Sequence, residues 1–194
     1  MALLLQTFML IQLQFFTLST AEETCEKRDV CSCMFKNGSV VNLRPVDGGS
    51  KPRFTGIMGA EGRIFDWNPC TPFETELAGR RQGCNNTMVC QVAAYGDQNA
   101  GSQNTTFSVE NGNVVVAYGQ QAGFDKYLRK SEVTLKCDPS QPGNGTIPHF
   151  TEEMLPDSTS LYKATFRSKF ACPSRESGEI ISSTLSDDNT SVEF

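Results

Sequence analysis

Short runs of β-branched and aromatic residues recur along this chain, separated by Gly, Pro, Asn and Asp. That spacing is the pattern of strands and turns. Ser39–Leu43, Gly62–Trp67, Met88–Val92, Thr106–Val109, Val114–Tyr118, Glu132–Lys136 and Leu161–Phe166 read as strands, and little of the chain carries helical periodicity. Asn111–Gly112 lies between Ser108–Val109–Glu110 and Val114–Val115–Val116. An Asn-Gly pair accepts the positive φ of a type I′ turn, so this stretch is predicted to be a hairpin. Strands at such intervals imply an all-β sandwich or flattened barrel. No internal repeat is visible, and no linker interrupts Cys25 to Cys172.

Both ends break the pattern. Residues 1–21 contain no charge and are mostly Leu, Phe, Met and Ile, ending at Ser19 and Ala21 before Glu22-Glu23. Small residues at that spacing mark a signal-peptidase site, so 1–21 is read as a cleaved signal peptide. The alternative is a membrane anchor, but Gln6, Gln12 and Gln14 interrupt the run short of the ~20 apolar residues a spanning helix needs. Residues 175–194 are rich in Ser, Thr and acids and offer too little apolar surface to repay ordering, which reads as a flexible acidic tail. Residues 22–174 form the predicted β domain.

Charge follows this division. The chain carries 17 basic against 22 acidic residues, a net of -5, yet Pro173 to Phe194 alone has one Arg against five acids. The β domain is thus nearly neutral, with 16 basic against 17 acidic residues. Neither segment carries the basic surface of a nucleic-acid binder. With His149 the single histidine, a Ser-His-Asp hydrolase or a His-rich metal site would have to pass through it, and beside Pro148 it reads as a loop residue.

All eight cysteines, Cys25, Cys31, Cys33, Cys70, Cys84, Cys90, Cys137 and Cys172, follow the signal. In an oxidising compartment an even count argues for disulfides, and no CxxC knuckle or nearby His completes a metal site. Five sequons place candidate glycosylation at Asn37, Asn85, Asn104, Asn144 and Asn189, expected on exposed loops. The localisation expected is secreted, or the lumen of the secretory and endolysosomal pathway.

In its ordered set of segments the chain resembles a mannose 6-phosphate receptor homology domain, most like one repeat of the cation-independent receptor. The set begins with Cys33, the Asn37-Gly38 turn, Asn42-Leu43-Arg44-Pro45 and FDWNPC ending at Cys70. Cys84, Val89-Cys90-Gln91, Val114 to Tyr118, and Arg129 eight residues before Cys137 follow. It closes on GTIPHFTEE, Leu161-Tyr162 and Phe170-Ala171-Cys172. The resemblance implies a flattened barrel of two crossed, mainly antiparallel sheets, with Cys33 bonded to Cys70, Cys84 to Cys90, Cys137 to Cys172, and Cys25 left to join Cys31. One family disulfide is absent, since Phe124 and Ser160 stand at its positions, and a loosened loop after Gly119-Gln120-Gln121 is expected.

The resemblance also carries over a sugar site. Gln91 would donate to and accept from a hydroxyl, Arg129 would offer its fork to vicinal hydroxyls, Glu152 or Glu153 would accept at the opposite edge, and Tyr162 would add a phenolic contact. Taken singly, each residue has an ordinary role on a strand, on a surface or in a core. Together, at the family spacing, they form the ligand-binding set for mannose. Trp67 reads as a core aromatic rather than a stacking platform. Gln121 and Gly123 stand where the cation-dependent receptor has an Asp and a His, which argues against a metal. Backbone amides from Gly119 to Gly123 leave phosphate recognition open.

The function implied is a lectin-like protein for mannose-containing N-glycans, phosphorylated or not, with glycoproteins such as lysosomal enzymes as partners. The alternative is a homology domain without sugar binding that serves as an interaction or scaffolding module. No cofactor or catalytic residue is singled out. Asp66, Glu74 and Glu76 are carboxylates of the kind glycosidases use, but no motif distinguishes them.

Overall fold

In the computed structural model, residues 23–75, 83–94, 96–123 and 125–175 are described. The signal peptide, Glu76, Phe124 and all but the first residue of the tail, including Asn189, lie outside them. The described residues form eleven strands in two units: a three-stranded sheet in the order β1-β2-β3 and a closed eight-stranded barrel, β10-β11-β9-β8-β7-β6-β5-β4. The small sheet comprises β1 (Cys25–Asp29), β2 (Ser32–Phe35) and β3 (Val40–Asn42). The barrel comprises β4 (Phe54–Gly59), β5 (Ile64–Trp67), β6 (Val89–Val92), β7 (Gln98–Glu110), β8 (Asn113–Ala122), β9 (Leu128–Cys137), β10 (His149–Met154) and β11 (Ser160–Ser168). Pairing is antiparallel except where β10 meets β4 and β11 meets β9. Among the described residues no helix is long and apolar enough to cross a membrane.

The predicted hairpin forms, and both of its central residues take positive φ, Asn111 at 50° and Gly112 at 74°. His149 opens strand β10 rather than lying in a loop. Asn104 belongs to β7, at the register shift between Ser102 and Thr105, so its sequon is on a strand and not on a loop.

Period-2 alternation decides which residues enter the barrel. Val133 and Leu135 from β9, Val114, Val116 and Tyr118 from β8, and Tyr162, Ala164 and Phe166 from β11 are all buried. Phe54, Trp67 and Phe166 stack towards one end, with ring centroids 5.1–5.3 Å apart. Trp67 is fully buried and donates through Nε1 to Tyr118 Oη at 3.0 Å, which fixes it as a core residue. Burying side chains of this size contributes about 1.5–3 kcal/mol each. A second aromatic layer, Phe65 with Phe150 and Tyr162, lies nearer the other end.

Two implied disulfides are corrected. Cys25 bonds Cys33, and Cys31 bonds Cys70, while Cys84–Cys90 and Cys137–Cys172 form as the resemblance implied. Register explains the exchange. Lys27 pairs with Cys33 and Cys25 with Phe35, so Cys25 and Cys33 are diagonal neighbours on one face, 5.3 Å apart at Cα. Cys31 lies in the turn at the far end of strand β1, roughly 13 Å or more along the strand from Cys25 and beyond disulfide reach. From that turn it meets Cys70, which follows Trp67 at the end of β5.

Candidate functional site at the barrel mouth

Strand direction collects four connections at one end of the barrel: β4 to β5, β6 to β7, β8 to β9, and β10 to β11. The inner face changes there from aromatic to polar. Gln91 stands opposite Phe65 on β5 and Gln98 on β7, and both glutamines are buried. Its position is fixed on the other side by Cys90, which the Cys84 bond ties back. On β9, Arg129 shares the inward face with buried Ser131, whose hydroxyl donates to Ala100 O at 2.8 Å.

Tyr162 links these groups. Its hydroxyl donates to Gln91 Oε1 at 3.2 Å, and it interacts electrostatically with the Arg129 guanidinium, favouring its charge. The ring rests on Phe65 with centroids 4.9 Å apart. Three residues from three distant parts of the sequence thus meet in one buried polar row.

Register separates the two glutamates. Glu152 pairs directly with Tyr162, so the two side chains share the inner face. Glu153 pairs with Leu161, points outward, and meets Lys163 Nζ at 2.7 Å on the exposed surface. The structure therefore brings together Gln91, Arg129, Glu152 and Tyr162, and leaves Glu153 outside.

Three residues that the sequence did not single out complete the mouth. Arg63, from the β4–β5 connection, pairs with Glu152. Asp125, from the β8–β9 connection, holds Arg129 in a bidentate pair, Oδ1 accepting from Nη1 and Oδ2 from Nη2, each at 2.7 Å. Arg129 Nη1 also donates to Tyr127 O at 3.1 Å. Burial works against the charge of Arg129, but the Asp125 carboxylate and the Tyr162 phenol outweigh it and raise its pKa. Hydrogen bonding to Arg129 is the main cause that holds Asp125 below its ordinary value. Gln98 is the third: its Nε2 donates to Gly96 O at 3.4 Å, while Oε1 is buried without a partner among the described residues. Arg129 Nε is likewise buried and unpartnered.

The β8–β9 connection is more closed than the missing disulfide suggested. Gly123 N donates to Tyr127 O and Lys126 N to Gly123 O, both at 3.0 Å, and Asp125 anchors the loop to Arg129. A Cβ on Gly123 would run into Gln98 Oε1, Arg129 Nη1 and Asp125 Oδ1, so the backbone passes directly over the mouth. A polar clamp tethers this loop in place of the disulfide whose absence led to the expectation of a loosened loop. An Asp four residues from an Arg was the available sequence signal, but that spacing has no fixed meaning outside a helix.

A second cleft, about 840 Å³, lies outside the barrel and is lined by Lys51, Asp66, Glu74, Thr75 and Asp97 among others. Burial raises the pKa of Asp66, the Gly56 amide opposes this, and nearby Asp97 adds to the rise. Asp97 is tied into the fold, accepting from Thr75 Oγ1 at 3.0 Å and from Ala93 N at 3.2 Å. None of Gln91, Arg129, Glu152, Glu153 and Tyr162 lines this cleft.

No protein-family model matches the chain, and no curated protein does. Among solved structures it is similar to chicken IGF2R domain 11, a mannose 6-phosphate receptor homology repeat, with a TM-score of 0.48 and 19% identity over 70% of this chain and 85% of that one. At that level the likeness says nothing of what this chain binds.

Proposed function

We propose that the barrel mouth binds mannose-containing N-glycans without cleaving them, and that glycoproteins such as lysosomal enzymes are its partners in the secretory or endolysosomal lumen. The supporting observation is the convergence of buried Gln91, Tyr162 and Arg129, the first two hydrogen-bonded, with Glu152 on the same inner face. An amide, a phenol, a guanidinium and a carboxylate together supply donors and acceptors to adjacent hydroxyls of one sugar ring. Each is held by a strand, so little ordering cost falls on binding. An epimer that misplaces the axial 2-hydroxyl leaves a buried polar group unpaired, and selectivity of this origin reaches tenfold or more for each lost bond.

A glycan array and titration calorimetry with methyl α-mannoside test this reading. The secreted chain is expected to bind mannosyl glycans, and Gln91→Ala and Arg129→Ala are each expected to lose at least ten times in affinity. No mannosyl binding by the wild type sinks the reading.

One observation favours a second reading, a non-sugar-binding interaction module. Both charged members of the set already have ion-pair partners, Arg129 in Asp125 and Glu152 in Arg63. Protein capture that survives enzymatic deglycosylation of the partner, and that Gln91→Ala leaves intact, would favour it.

A further inference from the structure

The mouth is covered on one side, where the Gly123 backbone passes over Gln98 and Arg129 without space for a Cβ. Access is from the side of β9, β11 and β10, where the Glu152 side chain keeps 21% of its surface exposed. The two most exposed large hydrophobic side chains among the described residues belong to this side, Tyr127 at 67% and Met154 at 63%.

Strand geometry places both at the lip. Glu152 and Met154 are two apart on β10 and share its inner face, so Met154 stands one step further out than the carboxylate. Met154 pairs with Ser160 and Ser160 with Arg129, which puts Met154 level with Arg129 and two strand spacings away, roughly 10 Å. Tyr127 lies two residues before Arg129, at the end of the β8–β9 connection. Its backbone is held at three points: N donates to Asp125 Oδ1 at 3.1 Å, and O accepts from Gly123 N at 3.0 Å and from Arg129 Nη1 at 3.1 Å. None of these bonds uses the ring, which is carried exposed on a fixed backbone.

A pyranose is amphipathic in a way that matches this layering. Its hydroxyls lie around its edge, and C–H groups cover its faces. The polar groups of the mouth suit the edge, and the apolar lip suits a face. A tyrosine on a rigid backbone offers that face a large contact at little cost in side-chain entropy. Trp67, the single Trp of the chain, is fully buried and is not available for the same task.

We infer that Tyr127, with Met154 across from it, forms a second subsite that takes the apolar face of the sugar bonded to the mannose in the mouth, so that the ligand is a mannosyl oligosaccharide and not a single sugar. This rests on the lectin reading above and adds the size of its ligand. Covering one ring face removes apolar surface from water on both partners, which is expected to be worth about tenfold in affinity.

The test is calorimetry on the full secreted chain with methyl α-mannoside and with methyl α-mannobioside in the linkages found in N-glycans. Tyr127→Ala removes the ring, and Tyr127→Phe keeps it without the hydroxyl. Leu128→Ala is the control, because Leu128 is 43% exposed but alternates with inward Arg129 and so faces away from the mouth. Thermal melting checks that each variant is folded. The wild type is expected to bind at least one mannobioside about tenfold more tightly than the mannoside. Tyr127→Ala is expected to bring the two affinities within about twofold of each other, while Tyr127→Phe and Leu128→Ala keep the wild-type ratio. In proton NMR of the bound mannobioside, ring C–H protons of the second sugar are expected to shift upfield with the wild type and Tyr127→Phe, and not with Tyr127→Ala. A wild-type ratio near one, a folded Tyr127→Ala with the wild-type ratio, or an equal loss in Leu128→Ala overturns the second subsite and leaves the lectin reading standing. If the wild type binds neither sugar, both fall.

Discussion

Tyr162 is 2% exposed and serves two neighbours at once, donating to Gln91 and favouring the charge of Arg129. Tyr162→Phe keeps the ring on Phe65 but leaves Gln91 Oε1 short of a bond in a buried place. Loss of such a partner costs about 1–3 kcal/mol, which a urea unfolding series would read as a lower midpoint at constant slope. Mannoside affinity is expected to fall in parallel. The glutamates give a sharper contrast. Glu152→Gln is expected to lower mannoside affinity at least tenfold, whereas Glu153→Gln, which removes only an exposed pair with Lys163, is expected to stay within twofold. Calorimetry on the two variants checks both, and equal losses would contradict the register. Asp125 adds a pH dependence of definite sign. Its pKa is depressed in the fold, chiefly by the hydrogen bond from Arg129, from an ordinary value of 3.8. Its contribution is therefore fully present above that value and is lost as pH falls through the lowered one. The gap in unfolding midpoint between wild type and Asp125→Asn is expected to be flat from neutral pH to about pH 5 and to shrink below about pH 4. The loop clamp thus persists under mildly acidic conditions.

Among the elements, the strands legible in the sequence are those whose own residues carry the β signal. Val114–Tyr118 and Leu161–Phe166 are rich in branched and aromatic side chains, and both lie inside observed strands. Strand β10, HFTEEM, is polar and was not visible, although it carries Glu152. Its extended form comes from pairing with β11 on one side and β4 on the other, a tertiary cause that local propensity does not contain. The same holds for the first half of β7, where QNAGSQ is extended because β6 and β8 flank it. This is why Gln98 was missed: nothing local distinguishes it, and its place beside Gln91 exists only in the register. Gln91, Arg129 and Tyr162 were found through the family resemblance, and the structure supplies the contacts among them. The choice between Glu152 and Glu153 required a register, because neighbouring residues on a strand face opposite sides. Asp125 has the same character, since its meaning depends on how a loop folds back.

At the scale of the whole molecule, covalent links and the candidate site are divided between the two ends of the barrel. Cys137 ends β9 and bonds Cys172 just after β11, and Cys31–Cys70 ties the three-stranded sheet to the segment after Trp67, all away from the mouth. The small sheet is further held by Lys27 Nζ donating to Thr105 O at 2.7 Å and by Thr105 Oγ1 donating to Val30 O at 2.9 Å. Only Cys84–Cys90 lies beside a mouth residue. Chain entropy ranks these links by the loop each closes. Cys31–Cys70 spans 39 residues and Cys84–Cys90 only 6, corresponding to about 4 and about 2 kcal/mol respectively. Stability and ligand affinity should therefore separate. Replacing Cys31 and Cys70 together by Ser is expected to cost the larger share of stability and to leave mannoside affinity of the folded fraction within twofold. Replacing Cys84 and Cys90 together is expected to cost less stability and to lower affinity severalfold, because Gln91 loses its tether. Peptide mapping without reduction should recover Cys25 linked to Cys33 and Cys31 linked to Cys70. Recovery of Cys25 with Cys31 would contradict the β1–β2 register and, with it, this separation of the two ends.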